Sequence, residues 1–483
     1  MKMQKTLLSG LFWIMLLNLM IKPLWLLGIE VGVQNAVGAE MYGFYFAIFN
    51  LSFIFNILLD LGITNFNTRN IAQSPILVEK HISGILGIKI ALLGLYVLVT
   101  FSVGALLGYD SRQFKLLAWL CINQFLNSMI LYLRSNFEAL MLFKWDSVLS
   151  VLDRILMVVI CGFLLWGPFK EGFKIEWFVG SQTIAYLITV IIALGILIKK
   201  TGFHKLTWNK AFGWMILKQS FPYALLVLLM ASYNRLDPVL LEWLLPNGSY
   251  AAGIYASAFR LLDALAMIGY LVSVPLLPIF SKLIKDKQTE EIGFTCKMIT
   301  GFMIAFAVGA TITLSWIGLD LMEVLYWEHT IESAEVFKIV IYCFIPIAMN
   351  YIYGTLLTAN GSLKQLNIMA SCALVLNIII NMLLIPRLGA VGSAWASLST
   401  QTLMALMQWI LAIKTFKIKF KIVNTIQLIL YIGVIIVCNS LCRYCAFSWW
   451  IHLLSMTMIA IIVAIMLRMI DIRQIIKTIK NKD

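Results

Sequence analysis

Long apolar runs follow one another along nearly the whole chain and are separated by short polar turns. A helix that crosses a bilayer needs about 20 mostly apolar residues. With that window the pattern predicts fourteen spans, near residues 7–29, 42–63, 83–107, 114–136, 147–167, 177–198, 217–244, 251–281, 298–318, 337–358, 365–386, 390–413, 422–442 and 448–469. We expect an all-α polytopic membrane protein whose first run is a span, because that run is too long for a cleaved signal peptide.

An internal echo predicts how the spans are grouped. GFYFAIFNL at 43–51 and GIYASAFRL at 253–261 share four residues, and each opens the second helix of a predicted hairpin. Six spans separate the copies, so the two halves have the same orientation, as in parallel repeats. The echo predicts two six-helix lobes, 1–200 and 201–415. Spans 13 and 14 and a cytoplasmic tail follow in 416–483.

Basic residues are distributed unevenly over the predicted loops. With the N-terminus in the cytoplasm, the cytoplasmic segments hold 24 of the 37 lysines and arginines, and the outside loops hold 7. This asymmetry is typical of membrane proteins and places both termini inside. It also accounts for the net charge of +14. A nucleic-acid partner is not expected, because that would need basic residues clustered on one wettable face.

Composition and loop length argue against an enzyme. The chain is 61% hydrophobic and 12% charged, with a mean hydropathy of +0.92. No predicted loop can hold a soluble catalytic domain, and neither a phosphate-binding loop nor an H-E-x-x-H pair occurs in the sequence. We therefore expect no catalytic residues, metal or cofactor. The cluster CNSLCRYC is incomplete as a zinc site, and a disulfide between Cys442 and Cys445 remains an open alternative.

Six basic residues lie inside predicted spans, where a charge costs at least ~2.5–3.5 kcal/mol. They are Lys22, Lys89, Arg134, Arg154, Arg235 and Arg260. Lys89 and Arg134 lie near cytoplasmic ends, so we expect them to snorkel, and Arg134 also has Glu138 one turn away. Arg154 adjoins Asp153, which fits both a packing pair and a functional role.

Arg235 and Arg260 flank the predicted outside turn at 247–248 by about a dozen residues each, which predicts a similar depth. Arg260 can pair with Asp263 one turn later. We expect Arg235, Arg260 and Lys22 to line a polar cavity, with Arg154 as a fourth candidate. Structural ion pairing is the alternative.

Prolines follow two of these cations closely. Pro238 cannot donate a hydrogen bond to the Asn234 carbonyl, so we expect it to kink the seventh span. Pro23 follows Lys22 in the first span, so each predicted lobe begins with a cation and a proline.

Four aspartates also lie within predicted spans. They are Asp60, Asp153, Asp237 and Asp263. Ionisable groups inside a membrane frequently belong to proton or ion pathways. Each is therefore a candidate site for coupling to protons or sodium, and pairing with a neighbouring cation is the alternative.

Residues 37–72, VGAEMYGFYFAIFNLSFIFNILLDLGITNFNTRNIA, resemble the N-terminal signature of Wzx-type oligosaccharide flippases. These flippases belong to the multidrug/oligosaccharidyl-lipid/polysaccharide exporter superfamily. RLDPVLL, GIYASAFRL and PLLPIFSKL are similar to the seventh and eighth spans of that family. The positions that match the signature are Gly38, Tyr42, Gly43, Asp60, Leu61, Gly62 and Arg69.

The resemblance implies a bacterial cytoplasmic-membrane flippase that moves an undecaprenyl-diphosphate-linked oligosaccharide for surface polysaccharide, such as the O-antigen of lipopolysaccharide. It implies that the cavity cations contact diphosphate or acidic sugar, and that a proton or sodium gradient is the energy source if transport is coupled. Membrane lipids and the polymerase and chain-length proteins of the same pathway are the implied partners. The alternatives are a drug/cation antiporter or lipid II flippase of the same fold, and a membrane polysaccharide polymerase.

Overall fold

A computed structural model describes residues 17–18, 20–64, 67–68, 71, 77–201, 210–418, 422–445, 448–467 and 469 of the 483-residue chain. The regular elements in these ranges are helices. They are α1 (Val31–Val37), α2 (Ala39–Ile54), α3 (Leu77–Leu106), α4 (Ser111–Ala139), α5 (Phe143–Trp166), α6 (Ile175–Thr201), α7 (Lys210–Arg235), α8 (Asp237–Leu244), α9 (Gly248–Ser273), α10 (Leu276–Lys285), α11 (Thr289–Trp316), α12 (Gly318–Leu325), α13 (Thr330–Val340), α14 (Phe344–Ala359), α15 (Leu363–Leu388), α16 (Ala390–Phe416), α17 (Ile422–Tyr444) and α18 (Trp449–Met466).

The predicted spans correspond closely to these helices. Within the described ranges, twelve helical stretches are long and apolar enough to cross a membrane, and the bent pair α7–α8 is a thirteenth. They coincide with the second to the fourteenth predicted spans. Residues 7–16 and 19 of the predicted first span, 7–29, lie outside the described residues, so the full count of fourteen stays a prediction.

The chain forms two compact units, Met1–Gly253 and Ile254–Asp483. In the first unit, α2 packs against α4, α7 and α8, while α6 packs against α4 and α5. Side chains on all faces of α2 are buried, including Tyr42, Tyr45 and Ile48. A helix that is apolar all round occupies an interior position, so α2 lies at the centre of this unit. The predicted division into two lobes and an appended segment stays a prediction.

In the second unit, α16 packs against α13, α14 and α15, and α17 and α18 pack together on α11. The Tyr431 hydroxyl of α17 donates to the Ala305 carbonyl at 2.9 Å. All eight cysteines are free thiols, including Cys442 and Cys445. The disulfide left open by the sequence is therefore not formed.

The glycines of the 37–72 signature have separate physical roles. Gly38 has φ +82° and separates α1 from α2. Gly62 has φ +83° and follows Leu61, whose φ is +44°, so the chain turns sharply after the 3₁₀ segment Phe55–Leu59. Such φ values favour glycine because it has no Cβ. Arg69 of the same signature lies outside the described residues.

The first span contains a π-helical segment, Leu24–Glu30, which begins directly after Pro23. Its wider turn joins residue i to residue i+5, whereas an α-helix places those residues about 140° apart. Trp25 Nε1 accordingly donates to Glu30 Oε1 at 2.8 Å. The π geometry therefore brings these two side chains to one face.

The seventh span is broken at Leu236. Its halves, Phe221–Arg235 and Asp237–Leu244, meet at an angle of 51°. Pro238 is in the first turn of α8, where its missing N–H is tolerated. The kink predicted from this proline is confirmed.

Candidate functional site

Three cations from three spans of the first unit act on one another electrostatically. Arg154 on α5 and Arg134 on α4 both repel Lys22, which precedes the π-helical segment, while Asp153 attracts it. The sequence predicted Lys22 and Arg154 as cations of one cavity, and Arg154 lies against Trp25, three residues after Lys22. Cations in apolar spans are costly, and two of these three have an acidic partner, Asp146 for Arg134 and Asp153 for Arg154.

Arg154 is held in place but not enclosed. Its Nε lies 3.6 Å from Asp153 Oδ2, and 27% of its side chain is exposed. Its guanidinium lies 5.5 Å from the centre of the Trp25 ring, within cation–π distance. Nη1 also contacts Met157 Sδ at 3.7 Å. Arg154 therefore has a single-point contact with Asp153, and its side chain also interacts with Tyr186.

Arg134 is neutralised by a neighbour that helical spacing did not suggest. Its Nε and Nη2 donate to the two carboxylate oxygens of Asp146 at 2.7 and 3.3 Å, and Asp146 is fully buried. Glu138, the partner that the sequence allowed, also attracts Arg134, and the expectation that Arg134 snorkels stays a prediction. The turn between α4 and α5 folds Asp146 back beside Arg134, and such a pair depends on tertiary packing.

Lys89 was also expected to snorkel, and this prediction was wrong. Its side chain is 1% exposed, and Nζ lies 3.1 Å from Asp60 Oδ1. The alternative for Asp60, that it neutralises a neighbouring cation, is confirmed. The pair was not predicted because 29 residues separate its members. The sequence did contain a hint of it, namely one acid and one base in consecutive predicted spans.

Arg235 and Asp237 lie on either side of the break in the seventh span. The Arg235 guanidinium lies 5.4 Å from the centre of the Phe53 ring of the same unit. Asp237 is fully buried in the first turn of α8. Its side chain therefore lies at the positive end of the α8 dipole.

Arg260 and Asp263 lie on α9 in the second unit. Arg260 is 4% exposed, and its Nη1 donates to the Tyr326 hydroxyl. Asp263 follows one turn later and is partly buried. Arg235 and Arg260 belong to different units, and their predicted common depth stays a prediction.

A polar cluster in the second unit was missed by the sequence reasoning. Asn377, Asn381 and Ser393 are all fully buried on α15 and α16. Ser393 Oγ donates to Asn381 Oδ1 at 2.9 Å, and Asn381 Nδ2 donates to the Asn377 carbonyl at 3.0 Å. The signal present in the sequence was the pair of asparagines four residues apart in an apolar run.

Comparison with known structures shows the fold. The lipid II flippase MurJ in an inward closed conformation has a TM-score of 0.70 and 14% identity, over 98% of this chain and 99% of that chain. An inward-facing multidrug resistance MATE transporter of the MOP superfamily has a TM-score of 0.64 and 13% identity, over 81% and 94%. A MOP superfamily transporter from Pyrococcus furiosus has a TM-score of 0.59 and 12% identity, over 86% and 96%.

Comparison by sequence shows the family. No curated protein matches the chain. A family model described as "Polysaccharide biosynthesis protein" matches residues 7–284, which is more than half of the chain. The protein therefore belongs to the polysaccharide biosynthesis protein family and has the membrane fold of the MOP superfamily.

Proposed function

We propose that the protein is a flippase that moves an undecaprenyl-diphosphate-linked oligosaccharide repeat unit across the bacterial cytoplasmic membrane. Its family membership supports a role in polysaccharide biosynthesis. The fold that it shares with a lipid II flippase and with MATE transporters supports transport by alternating access rather than covalent chemistry. Both termini would lie in the cytoplasm.

The observation that carries this proposal is the position of Arg154, whose guanidinium lies 5.5 Å from the centre of the Trp25 ring, three residues after Lys22. A guanidinium binds phosphate through two parallel hydrogen bonds, whereas an ammonium acts as a point charge. Arg154 contacts Asp153 through one long ion pair. A diphosphate would replace that contact with a bidentate one, and it would also relieve the repulsion between Lys22 and Arg154.

The alternative of a drug/cation antiporter requires acids that can receive a cationic drug. Three buried or half-buried acids of the first unit already have cationic partners, since Asp60 pairs with Lys89, Asp146 with Arg134 and Asp153 with Arg154. This pairing favours an anionic substrate. A lipid II flippase would also bind a diphosphate. The two flippase alternatives therefore differ only in the sugar that is attached to the diphosphate.

Arg235 and Arg260 remain proposed contacts for the same anionic substrate. We further propose Asp237 and Asp263 as the carboxylates that couple transport to a proton or sodium gradient. Asp60 and Asp153 are weaker candidates because each lies within an ion pair. The polymerase and chain-length proteins of the pathway would be the partners that receive the flipped substrate.

Reconstituted transport tests the function. Proteoliposomes would be loaded with a fluorescent diphosphate-linked oligosaccharide, lipid II or a cationic dye, and transfer between leaflets would be measured. We expect transfer of the oligosaccharide alone. Arg154→Ala should lower the rate about tenfold or more, since a hydrogen bond to a charged group contributes about 1.5–3 kcal/mol. Lys170→Ala, at an exposed lysine of the same unit, should leave the rate unchanged.

Transfer of the cationic dye alone would refute the flippase. An unchanged rate in Arg154→Ala, with oligosaccharide transfer intact, would refute only the assignment of Arg154 to the site.

A further inference from the structure

Four oxygen atoms surround the ammonium of Lys89. Nζ lies 2.8 Å from Ser128 Oγ and 3.1 Å from Asp60 Oδ1. It also lies 3.2 Å from the Leu59 carbonyl oxygen and 3.4 Å from that of Ser128. The Tyr132 ring completes the enclosure, with its centre 5.6 Å from Nζ.

These four oxygen atoms form a cage around Nζ, and two of them are backbone carbonyl oxygens. The backbone therefore holds part of the cage in place independently of Lys89. Leu59 ends the 3₁₀ segment, and the turn at Leu61 and Gly62 redirects the chain directly after it. The Leu59 carbonyl therefore lies at the negative end of a helix, where a cation is favoured. Ser128 Oγ also donates to that carbonyl at 3.3 Å, which ties the end of the second span to α4.

The cage has the donor set of a cation-binding site. One carboxylate, two carbonyls and one hydroxyl converge on one point, and hard cations prefer oxygen ligands of these kinds. The distances of 2.8–3.4 Å are those of N–H···O contacts, so an ammonium-type ion fits without movement of the cage. In the wild-type chain that position is taken by a cation that is covalently attached.

We propose that Lys89 is a built-in occupant of a cation site, and that shortening its side chain opens the site to a small free ammonium ion. The chemical class of the ligand is a primary alkylammonium whose length matches the part removed. Asp60 is then the fixed counter-charge of Lys89. The inference concerns a site separate from Arg154 and does not depend on which substrate is transported.

Chemical rescue of Lys89→Ala tests the proposal. Thermal unfolding of the full-length protein would be compared in choline, ammonium and propylammonium chlorides at equal ionic strength. We expect Lys89→Ala to lower Tm by about 5 °C or more in choline chloride. Propylammonium should restore at least about half of the loss, because its charge and length replace the missing part of the side chain. Wild type and Lys285→Ala, at an exposed lysine, should have the same Tm in all three salts.

A second variant shows whether rescue comes from this site. Lys89→Ala combined with Asp60→Asn lacks the carboxylate, so propylammonium should not raise its Tm. Equal Tm of Lys89→Ala in choline and propylammonium would overturn the proposal, as would equal rescue of the double variant. If Lys89→Ala accumulates too poorly to purify, its yield on solubilisation with and without propylammonium is the measurement, and equal yields would overturn the proposal.

Discussion

Gly43 and Gly253 are in backbone-to-backbone contact where α2 meets the first two turns of α9. A Cβ on Gly43 would lie 1.8 Å from the Ser249 carbonyl oxygen and 2.4 Å from the Gly253 nitrogen. A Cβ on Gly253 would lie 2.0 Å from the Ala39 carbonyl oxygen. These two glycines occupy the same position in the internal echo of the sequence. The two repeated segments therefore contact each other at this position, and each needs a glycine there because a Cβ would collide with the backbone of the other helix.

Gly43→Ala should destabilise the protein, because the added methyl meets backbone atoms that cannot move away as a side chain can. Overpacking costs about 1–3 kcal/mol, and we expect Tm to fall by several degrees. Gly94→Ala is the control, since a Cβ at Gly94 meets nothing within 4 Å and alanine favours a helix. Equal Tm of the two variants would show that the close contact is absent.

Asp146→Asn should be strongly destabilising, since it keeps the shape of the side chain but removes the charge that neutralises Arg134. Breaking a buried pair costs about 3–5 kcal/mol. Arg134→Lys should give an intermediate loss, because lysine keeps the charge but not the two parallel hydrogen bonds. Tm would be measured beside Lys144→Ala, an exposed lysine next to the same turn. A loss for Asp146→Asn no larger than for Lys144→Ala would contradict the ion pair.

Pro238→Ala should reduce the 51° bend of the seventh span, because alanine restores the N–H that can reach the Asn234 carbonyl. Spin labels on cysteines introduced at the exposed positions Val227 and Trp243 would report the distance between the two halves. We expect the distance to increase by about 2 Å as the span straightens. Pro222→Ala, within α7, should leave it unchanged, and an unchanged distance in Pro238→Ala would rule out the proline as the cause.

Asn439→Leu and His452→Leu should be coupled, because His452 Nε2 and Asn439 Oδ1 lie 2.9 Å apart between α17 and α18. Both side chains are buried among apolar neighbours. Hydrogen bonds between membrane helices average about 0.6 kcal/mol in double-mutant cycles. Unfolding of the two single variants and the double variant should give a coupling energy of that size. Strict additivity would show that the contact does not stabilise the hairpin.

Most of the helical architecture could be predicted because the length of an apolar run is a local property. The thirteen spans within the described ranges needed only a window of about twenty residues. The kink at Pro238 was equally local, since it follows from one missing N–H. The meeting of Gly43 and Gly253 was not predicted, although their echo was, because the sequence does not say which helices cross.

The partners of the intramembrane charges could not be predicted for the same reason. Lys89 and Arg134 were assigned by their distance from a span end, which assumes that the nearest polar environment is the interface. Their partners, Asp60 and Asp146, belong to neighbouring spans. The nitrogen-to-oxygen distances are 3.1 Å for Lys89–Asp60 and 2.7 Å for Arg134–Asp146. Arg154 and Asp153 are adjacent in sequence, so their pairing was one of the two alternatives that the sequence left open.

The π-helical segment makes the first span more tolerant of a one-residue deletion than of a one-residue insertion. Trp25 and Glu30 are five residues apart, a spacing that only the wider turn places on one face. Deleting one residue between them would give a spacing of four, which an ordinary α-helix also places on one face. The segment can therefore be shortened by one residue and keep this hydrogen bond, whereas an insertion would separate the two side chains.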